Sequence, residues 1–175
     1  MNNIISKIGE IVLGTKVMVS DPCYEIGVWC QGIIENVKSG RYNCYVDDGD
    51  AGTWGGRTYR LLAVHSDYDV YNNVYCDDHL KFDVGVDSGT CGIFDFEYYK
   101  SNHNELGENN IDQDTWYDIN VFEECENGYN ICDEKGVWSQ SGYGDGSYNC
   151  YVQRDKDGNV VAIEIIFIEE DEDDE

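Results

Sequence analysis

Gly40-Arg41-Tyr42-Asn43-Cys44-Tyr45-Val46 recurs further along the chain as Gly146-Ser147-Tyr148-Asn149-Cys150-Tyr151-Val152. The run Tyr-Asn-Cys-Tyr-Val is identical in the two copies, at a single offset. Tyr42, Cys44 and Val46 alternate with their neighbours, which is the period-two pattern of a strand buried on one face. Each copy runs into an Asp/Gly-rich turn and then an apolar strand, residues 61–65 in the first and 160–168 in the second. The second turn, Asp155-Lys156-Asp157-Gly158-Asn159, carries hairpin chemistry. A lone hairpin is too small to bury its own core. The expected fold is therefore mainly β, an antiparallel β-sandwich or distorted barrel built from two related β units near 40–65 and 146–168, with one or two short helices.

Working outward, glycine occurs 19 times and proline once, at Pro22, so brief strands and tight turns should fill the chain. Residues 8–13 and 16–20 around Gly14-Thr15 read as an opening hairpin. A helix through Ile4, Ile5, Ile8, Ile11 and Val12 competes with it, weakened by Gly9 by about 1 kcal/mol. Residues 31–38 are a strand candidate, and 41–47 should pair with 57–65. Residues 81–86 and 91–96 flank the turn Asp87-Ser88-Gly89-Thr90. The Asn-rich stretch 98–113 reads as a loop or short helix, and 115–125 as the best helix, with Asp114 as its N-cap. Strands resume at 136–141, 147–154 and 159–168. A weaker echo links Val19-Ser20-Asp21-Pro22-Cys23 to Val86-Asp87-Ser88-Gly89-Thr90-Cys91. The expected organisation is a single acidic domain over residues 1–168 and a disordered acidic tail over 169–175.

Composition narrows the function classes. The chain has 175 residues, the length of one ordinary domain, and 41% of them are hydrophobic, too many for a disordered acidic chain. Acids outnumber bases 36 to 11, a formal charge of −25. The last seven residues are all acidic, so 29 acids, 11 bases and a charge of −18 remain without them. Such a surface repels phosphate backbones and anionic lipid, which excludes direct nucleic-acid or membrane binding and favours a basic protein surface or metal ions as partner. No apolar run approaches the ~18 residues of a membrane span, and residues 1–7 show no secretory signal. A cytoplasmic protein is expected.

Several motifs invite chemistry. Asp87, Ser88 and Cys91 with one of His65, His79 or His103 outline a small hydrolase or metal-dependent enzyme centred on that turn. An acidic surround raises a thiol's pKa, and a tight inter-strand turn explains Ser88 and Gly89 without catalysis, so no catalytic residue is assigned. The eight cysteines lack zinc-like spacing: Cys23/Cys30 and Cys125/Cys132 are too far apart, and Cys76 with His79 falls two ligands short. They read as reduced core thiols, with no metal and no cofactor. Asp47-Asp48-Gly49-Asp50 and Asp155-Lys156-Asp157-Gly158 lack a calcium-loop register, and Ser141-Gly142-Tyr143-Gly144-Asp145-Gly146 lacks the spacing and lysine of a phosphate loop.

Val19-Ser20-Asp21-Pro22-Cys23-Tyr24, Trp29-Cys30, Gly85-Val86-Asp87-Ser88-Gly89, Gly92-Ile93-Phe94-Asp95 and Ser141-Gly142-Tyr143-Gly144-Asp145-Gly146-Ser147-Tyr148 together resemble the hallmark runs of an uncharacterised family, small proteins of bacteria and their phages classed as a domain of unknown function. The resemblance covers roughly residues 8–168. It implies a mostly β domain of prokaryotic or phage origin and brings no catalytic residues.

Fourteen tyrosines and four tryptophans exceed what a core of this size needs, and such residues enrich binding surfaces. Tyr68, Tyr71 and Tyr75, interleaved with Asp67, Asp69, Asp77 and Asp78, form an acidic-aromatic loop, and Trp54 sits in a second exposed loop. These are the expected partner-binding residues, with cationic side chains lying over the rings. The functional expectation is an acidic protein-binding inhibitor, either a phage or mobile-element anti-defence protein, in one version a DNA mimic, or an immunity protein against a basic nuclease or toxin.

Overall fold

The computed structural model describes residues 4–69, 77–103 and 113–169, the side chains of Ile4 and of residues 77–81 excepted. In chain order the strands are β1 (Ile4–Leu13), β2 (Val17–Ser20), β3 (Gly32–Ile34), β4 (Gly40–Asp50), β5 (Gly56–His65), β6 (Asp77–Val86), β7 (Thr90–Asp95), β8 (Tyr129–Cys132), β9 (Gly136–Gln140), β10 (Gly146–Arg154) and β11 (Val160–Ile166). They form two antiparallel sheets, one six-stranded in the order β1-β4-β5-β11-β10-β6 and one five-stranded in the order β3-β2-β7-β9-β8. Neither closes into a barrel, so the fold is a sandwich. Ile11, Leu13, Cys44, Leu61, Ala63, Cys150, Ile163 and Ile165 of the large sheet meet Val17, Val19, Ile93 and Val137 of the small one in a single buried core.

The sequence repeat becomes a local symmetry. Cys44 pairs with Ala63, and Cys150 pairs with Ile165, so Ala63 and Ile165 are counterparts in the two hairpins. One position on, Leu62 and Glu164 are counterparts too, and they pair with each other across β5 and β11. A pseudo-two-fold axis therefore runs through the middle of the large sheet. It preserves the face, which is why Cys44 and Cys150 are both fully buried in the same core. The repeated units lie side by side in one sheet, rather than supplying one sheet each.

The small sheet is buried on both faces. Met18 and Phe94, paired across β2 and β7, point away from the large sheet into a second cluster with Tyr99, Trp116, Val121, Cys132 and Trp138. This layer is roofed by α1 (Phe96–Asn102) and α2 (Gln113–Tyr117), the latter running into one turn of π-helix over Asp118–Phe122. Double burial explains why all four residues of β2 are buried, with no polar side.

Several local expectations change. The opening hairpin does not form: β1 pairs with β4 and β2 with β3 and β7, so Gly14-Thr15 carries the chain between sheets. The turn after β6 likewise crosses sheets, because β6 pairs with β10 and β7 with β2 and β9. The strand expected at 31–38 shrinks to Gly32–Ile34, where glycine lets the backbone press on Phe82: a Cβ there would lie 1.7 Å from the ring. The helix expected from 115 begins at Gln113 instead, so Asp114 sits inside its first turn rather than capping it. Strand β8 was not anticipated, its four residues being too short for a period to register. The acidic tail beyond Glu169 lies outside the described residues.

On the face of the large sheet turned away from the core, Arg60 bridges two buried carboxylates, its Nε 2.6 Å from Asp47 Oδ2 and an Nη 2.8 Å from Glu164 Oε1. The other oxygen of Asp47 is buried without a hydrogen-bond partner.

Candidate functional site

Two segments that echo each other in sequence meet in space. The carboxylate of Asp21, fully buried just past β2, accepts four hydrogen bonds. Its Oδ2 takes the backbone N–H groups of Asp87 and Ser88, both at 2.7 Å. Its Oδ1 takes the Cys23 N–H at 2.8 Å and the Ser88 hydroxyl at 2.7 Å. Asp21 thus fastens the loop after β2 to the turn after β6. The Ser88 hydroxyl has one proton and gives it to Asp21, so at the 2.6 Å contact between Ser88 and Thr90 the threonine donates.

That arrangement accounts for the turn on which the alternative, enzymatic reading was centred. Ser88 is occupied as a structural donor. Cys91 is fully buried, and its thiol is pushed well up, first by burial and then by the charge of Asp21. The two histidines whose rings are described are committed elsewhere. His65 accepts the Asp67 N–H at Nδ1, while His103 has both ring nitrogens 3.0 Å from carbonyl oxygens, of Tyr99 and Pro22. Burial lowers the His103 pKa to about 4, outweighing those two acceptors, and its ring stacks on Tyr99 at 3.7 Å. His79 has no described side chain. Among the described residues no group of three or more His, Cys, Asp or Glu side chains is arranged to hold a metal ion.

The segment from Glu25 to Gln31, one wall of the site, is tied to the fold by the Ile26 N–H, which donates to His103 O at 3.0 Å, and braced by the Gln31 amide. Gln31 Oε1 accepts from the N–H groups of Gly27 and Val28, both at 2.9 Å, and its Nε2 donates to Glu25 O at 2.8 Å and Ser20 Oγ at 3.0 Å. Next along, Cys30 O accepts from Gly85 N at 3.0 Å, docking the segment on the edge strand β6. The indole of Trp29, between these anchors, is 93% exposed. It stands at a cleft of about 480 Å³ whose lining includes Tyr24, Cys30, Asp83, Gly85, Asp87 and Ser147. Asp83 in β6 and Asp87 just past its end are exposed, while Val84 and Val86 are buried and the half-buried Gly85 between them is covered by Cys30, to whose Cβ a Cβ at Gly85 would lie 2.8 Å. Partial burial and the neighbouring Asp87 carboxylate raise the Tyr24 phenol.

The expected partner-binding residues do not form one patch. Trp54 is 57% exposed in the β4–β5 turn, its ring 5.2 Å from that of Tyr143 and 5.8 Å from the Arg57 guanidinium. Asp67 and Tyr68 lie past the other end of β5, about 30 Å away at ~3.3 Å per residue. There the cation is supplied internally: Lys38 Nζ is 3.3 Å from Asp67 and 5.7 Å from the Tyr68 ring centroid. Asp69 also has an interaction of its own. Tyr71 and Tyr75 lie outside the described residues, as do the side chains of Asp77 and Asp78. Sequence reasoning passed over Trp29 and Asp83. The segment around Trp29 has no period, and its exposure follows from the Gln31 and Cys30 anchors, which join residues with no pattern between them.

Fold and site together define an acidic antiparallel β-sandwich domain with an open, carboxylate-lined cleft. Residues 57–165, more than half of the chain, match the family described as Protein of unknown function (DUF4241), and the chain belongs to that family. The matched segment contains Asp83, Asp87 and Ser88, whereas Asp21, Tyr24 and Trp29 precede it. No curated protein and no solved structure gave a match. Among the described residues no helix is long and apolar enough to cross a membrane.

Proposed function

We propose that this chain is a non-enzymatic, acidic protein-binding domain that occupies a basic protein surface and blocks it. The setting we assign is a phage or mobile-element inhibitor of a host nuclease or defence complex, or an immunity protein held against a basic toxin, acting in the cytoplasm of a bacterial cell. The observation that carries the reading is the imbalance of charge on a surface that also exposes large aromatics. Formal charge is −25, and several of the cations are already spent on the chain's own acids: Lys7 and Arg41 on Glu10, Lys38 on Asp67, and Arg60 on Asp47 and Glu164. Trp29, Trp54, Phe122 and Tyr143 meanwhile stand exposed. Aromatics of this kind anchor interfaces, and unbalanced charge steers association with an oppositely charged partner. In the DNA-imitating version the carboxylates stand in for phosphates at a nuclease's groove.

The test is affinity capture with the full chain from host lysate, followed by titration of the captured partner's own activity. A basic partner that is retained at low salt, released at about 0.5 M salt, where screening shortens to a few ångströms, and inhibited stoichiometrically is the expected result. Binding that is indifferent to salt, or a partner whose activity is unaffected, overturns the proposal.

A further inference from the structure

We infer that the cleft between Trp29 and β6 is an arginine-binding subsite, which receives one guanidinium side chain of a basic protein partner. The inference rests on the protein-binding reading and names the contact that would anchor it.

Three features of the cleft converge on that occupant. The first is the indole of Trp29. It is 93% exposed, yet the backbone on either side of it is fixed by the Gln31 amide and by the Cys30–Gly85 hydrogen bond. An aromatic held open on a pinned loop binds with little ordering cost. The second is charge. Asp83 and Asp87 face the cleft, and among the described side chains no lysine or arginine lines it. The third is shape. The lining brings Trp29, Tyr24 and both aspartates around one open space, with Cys30 packed over the bare Gly85, where a Cβ would lie 2.8 Å from Cys30 Cβ. A volume of about 480 Å³ falls within the ~300–1,000 Å³ of ligand-holding pockets.

Other occupants fit less well. A calcium ion needs six to eight oxygen ligands at about 2.3–2.6 Å, and among the described residues no group of three or more His, Cys, Asp or Glu side chains is arranged to hold a metal ion. Phosphate groups are repelled by both. An ammonium satisfies the charge but presents no plane to the indole. A guanidinium has a flat face for stacking and an edge of forked donors for a carboxylate, and this site offers an indole face and carboxylates together.

The test is fluorescence anisotropy with the full-length protein and three labelled peptides of one sequence, carrying arginine, lysine or citrulline at the same positions. Citrulline keeps the shape of arginine and removes its charge. The variants are Trp29→Ala and Asp83→Asn/Asp87→Asn, with Glu123→Gln/Glu126→Gln removing the same charge from exposed positions elsewhere. The expected order is arginine over lysine by several-fold, with citrulline not bound. Each cleft variant should lose about tenfold in affinity, equivalent to about 1.4 kcal/mol, while the charge control stays within about twofold. If the cleft variants weaken binding no more than the control does, the subsite is overturned and the broader acidic-domain reading survives. If the unmodified protein binds neither cationic peptide, both fall.

Discussion

Replacing Asp21 by asparagine should be among the most damaging single changes to this fold that leave side-chain size unaltered. Its carboxylate accepts four hydrogen bonds, two per oxygen, all between 2.7 and 2.8 Å and all at a fully buried position. Asparagine has one acceptor oxygen and one NH₂ donor. With the NH₂ in place of Oδ2, it confronts the backbone N–H groups of both Asp87 and Ser88. With the NH₂ in place of Oδ1, Ser88 can rotate its hydroxyl to accept, but the Cys23 N–H is still left facing a donor. At least one buried N–H is therefore orphaned, at about 1–3 kcal/mol, and the remaining bonds lose the ionic partner that made them worth about 1.5–3 kcal/mol each. The sum expected is about 3–5 kcal/mol, against a typical whole-domain stability of about 5–15 kcal/mol. For a domain of this size that is a fall in Tm of roughly 6–20 °C. The assay is urea and thermal unfolding at pH 7, followed by circular dichroism and tryptophan fluorescence. A loss under about 1 kcal/mol would show that the Asp21 bonds do not hold the two loops together, and the account of the cleft's rigid wall would go with it.

Three further outcomes are expected. Gly32→Ala would drive a methyl into the Phe82 ring, 1.7 Å away as placed, and should cost about 1–3 kcal/mol; the double variant with Phe82→Ala should recover part of that relative to Phe82→Ala alone, and strict additivity would contradict the close approach. Arg60→Met strands the buried carboxylates of Asp47 and Glu164 and should cost about 3–5 kcal/mol in urea unfolding, whereas Asp47→Asn, which keeps an acceptor for Arg60 and replaces an unpartnered buried oxygen by an unpartnered NH₂, should cost less, about 1–3 kcal/mol; a larger loss for Asp47→Asn than for Arg60→Met would refute the assignment. Burial holds the His103 pKa near 4, below its ordinary 6.5, so protonation favours the unfolded chain. The stability it contributes is complete above pH 6.5 and is lost as pH falls towards 4, by about 3 kcal/mol at ~1.4 kcal/mol per unit; His103→Gln should flatten that part of the stability–pH curve, and an unchanged slope contradicts it.

The repeat at Tyr42–Val46 and Tyr148–Val152 made the central hairpins legible, because alternation along a strand and Asp/Gly chemistry in a turn act over a few residues. The same reasoning failed at Gly14-Thr15, where the expected hairpin does not form, whereas at Asp87–Thr90 it found the two flanking strands but not their partners. A turn between two strands looks alike whether the strands pair with each other or with partners far along the chain. The candidate site shows the same division. Trp54 was read correctly as exposed, since Gly52 and Gly55-Gly56 around it leave nothing to bury it. Trp29, more exposed still, was not singled out as a binding residue, and the Lys38 that meets Asp67 and Tyr68 was not foreseen.

What the amino-acid order determined by itself was therefore the local and the additive: most of the strands, the paired β units, and the net charge. Those quantities depend on neighbouring residues or on simple counts. What only the tertiary structure decided was which sheet each strand joined, the seating of both repeats about one axis, the four-donor cradle of Asp21, and the cleft it supports. Each of these depends on contacts between residues far apart in the chain, such as Asp21 with Ser88 or Cys30 with Gly85, whose meeting is set by the packing of the whole sandwich.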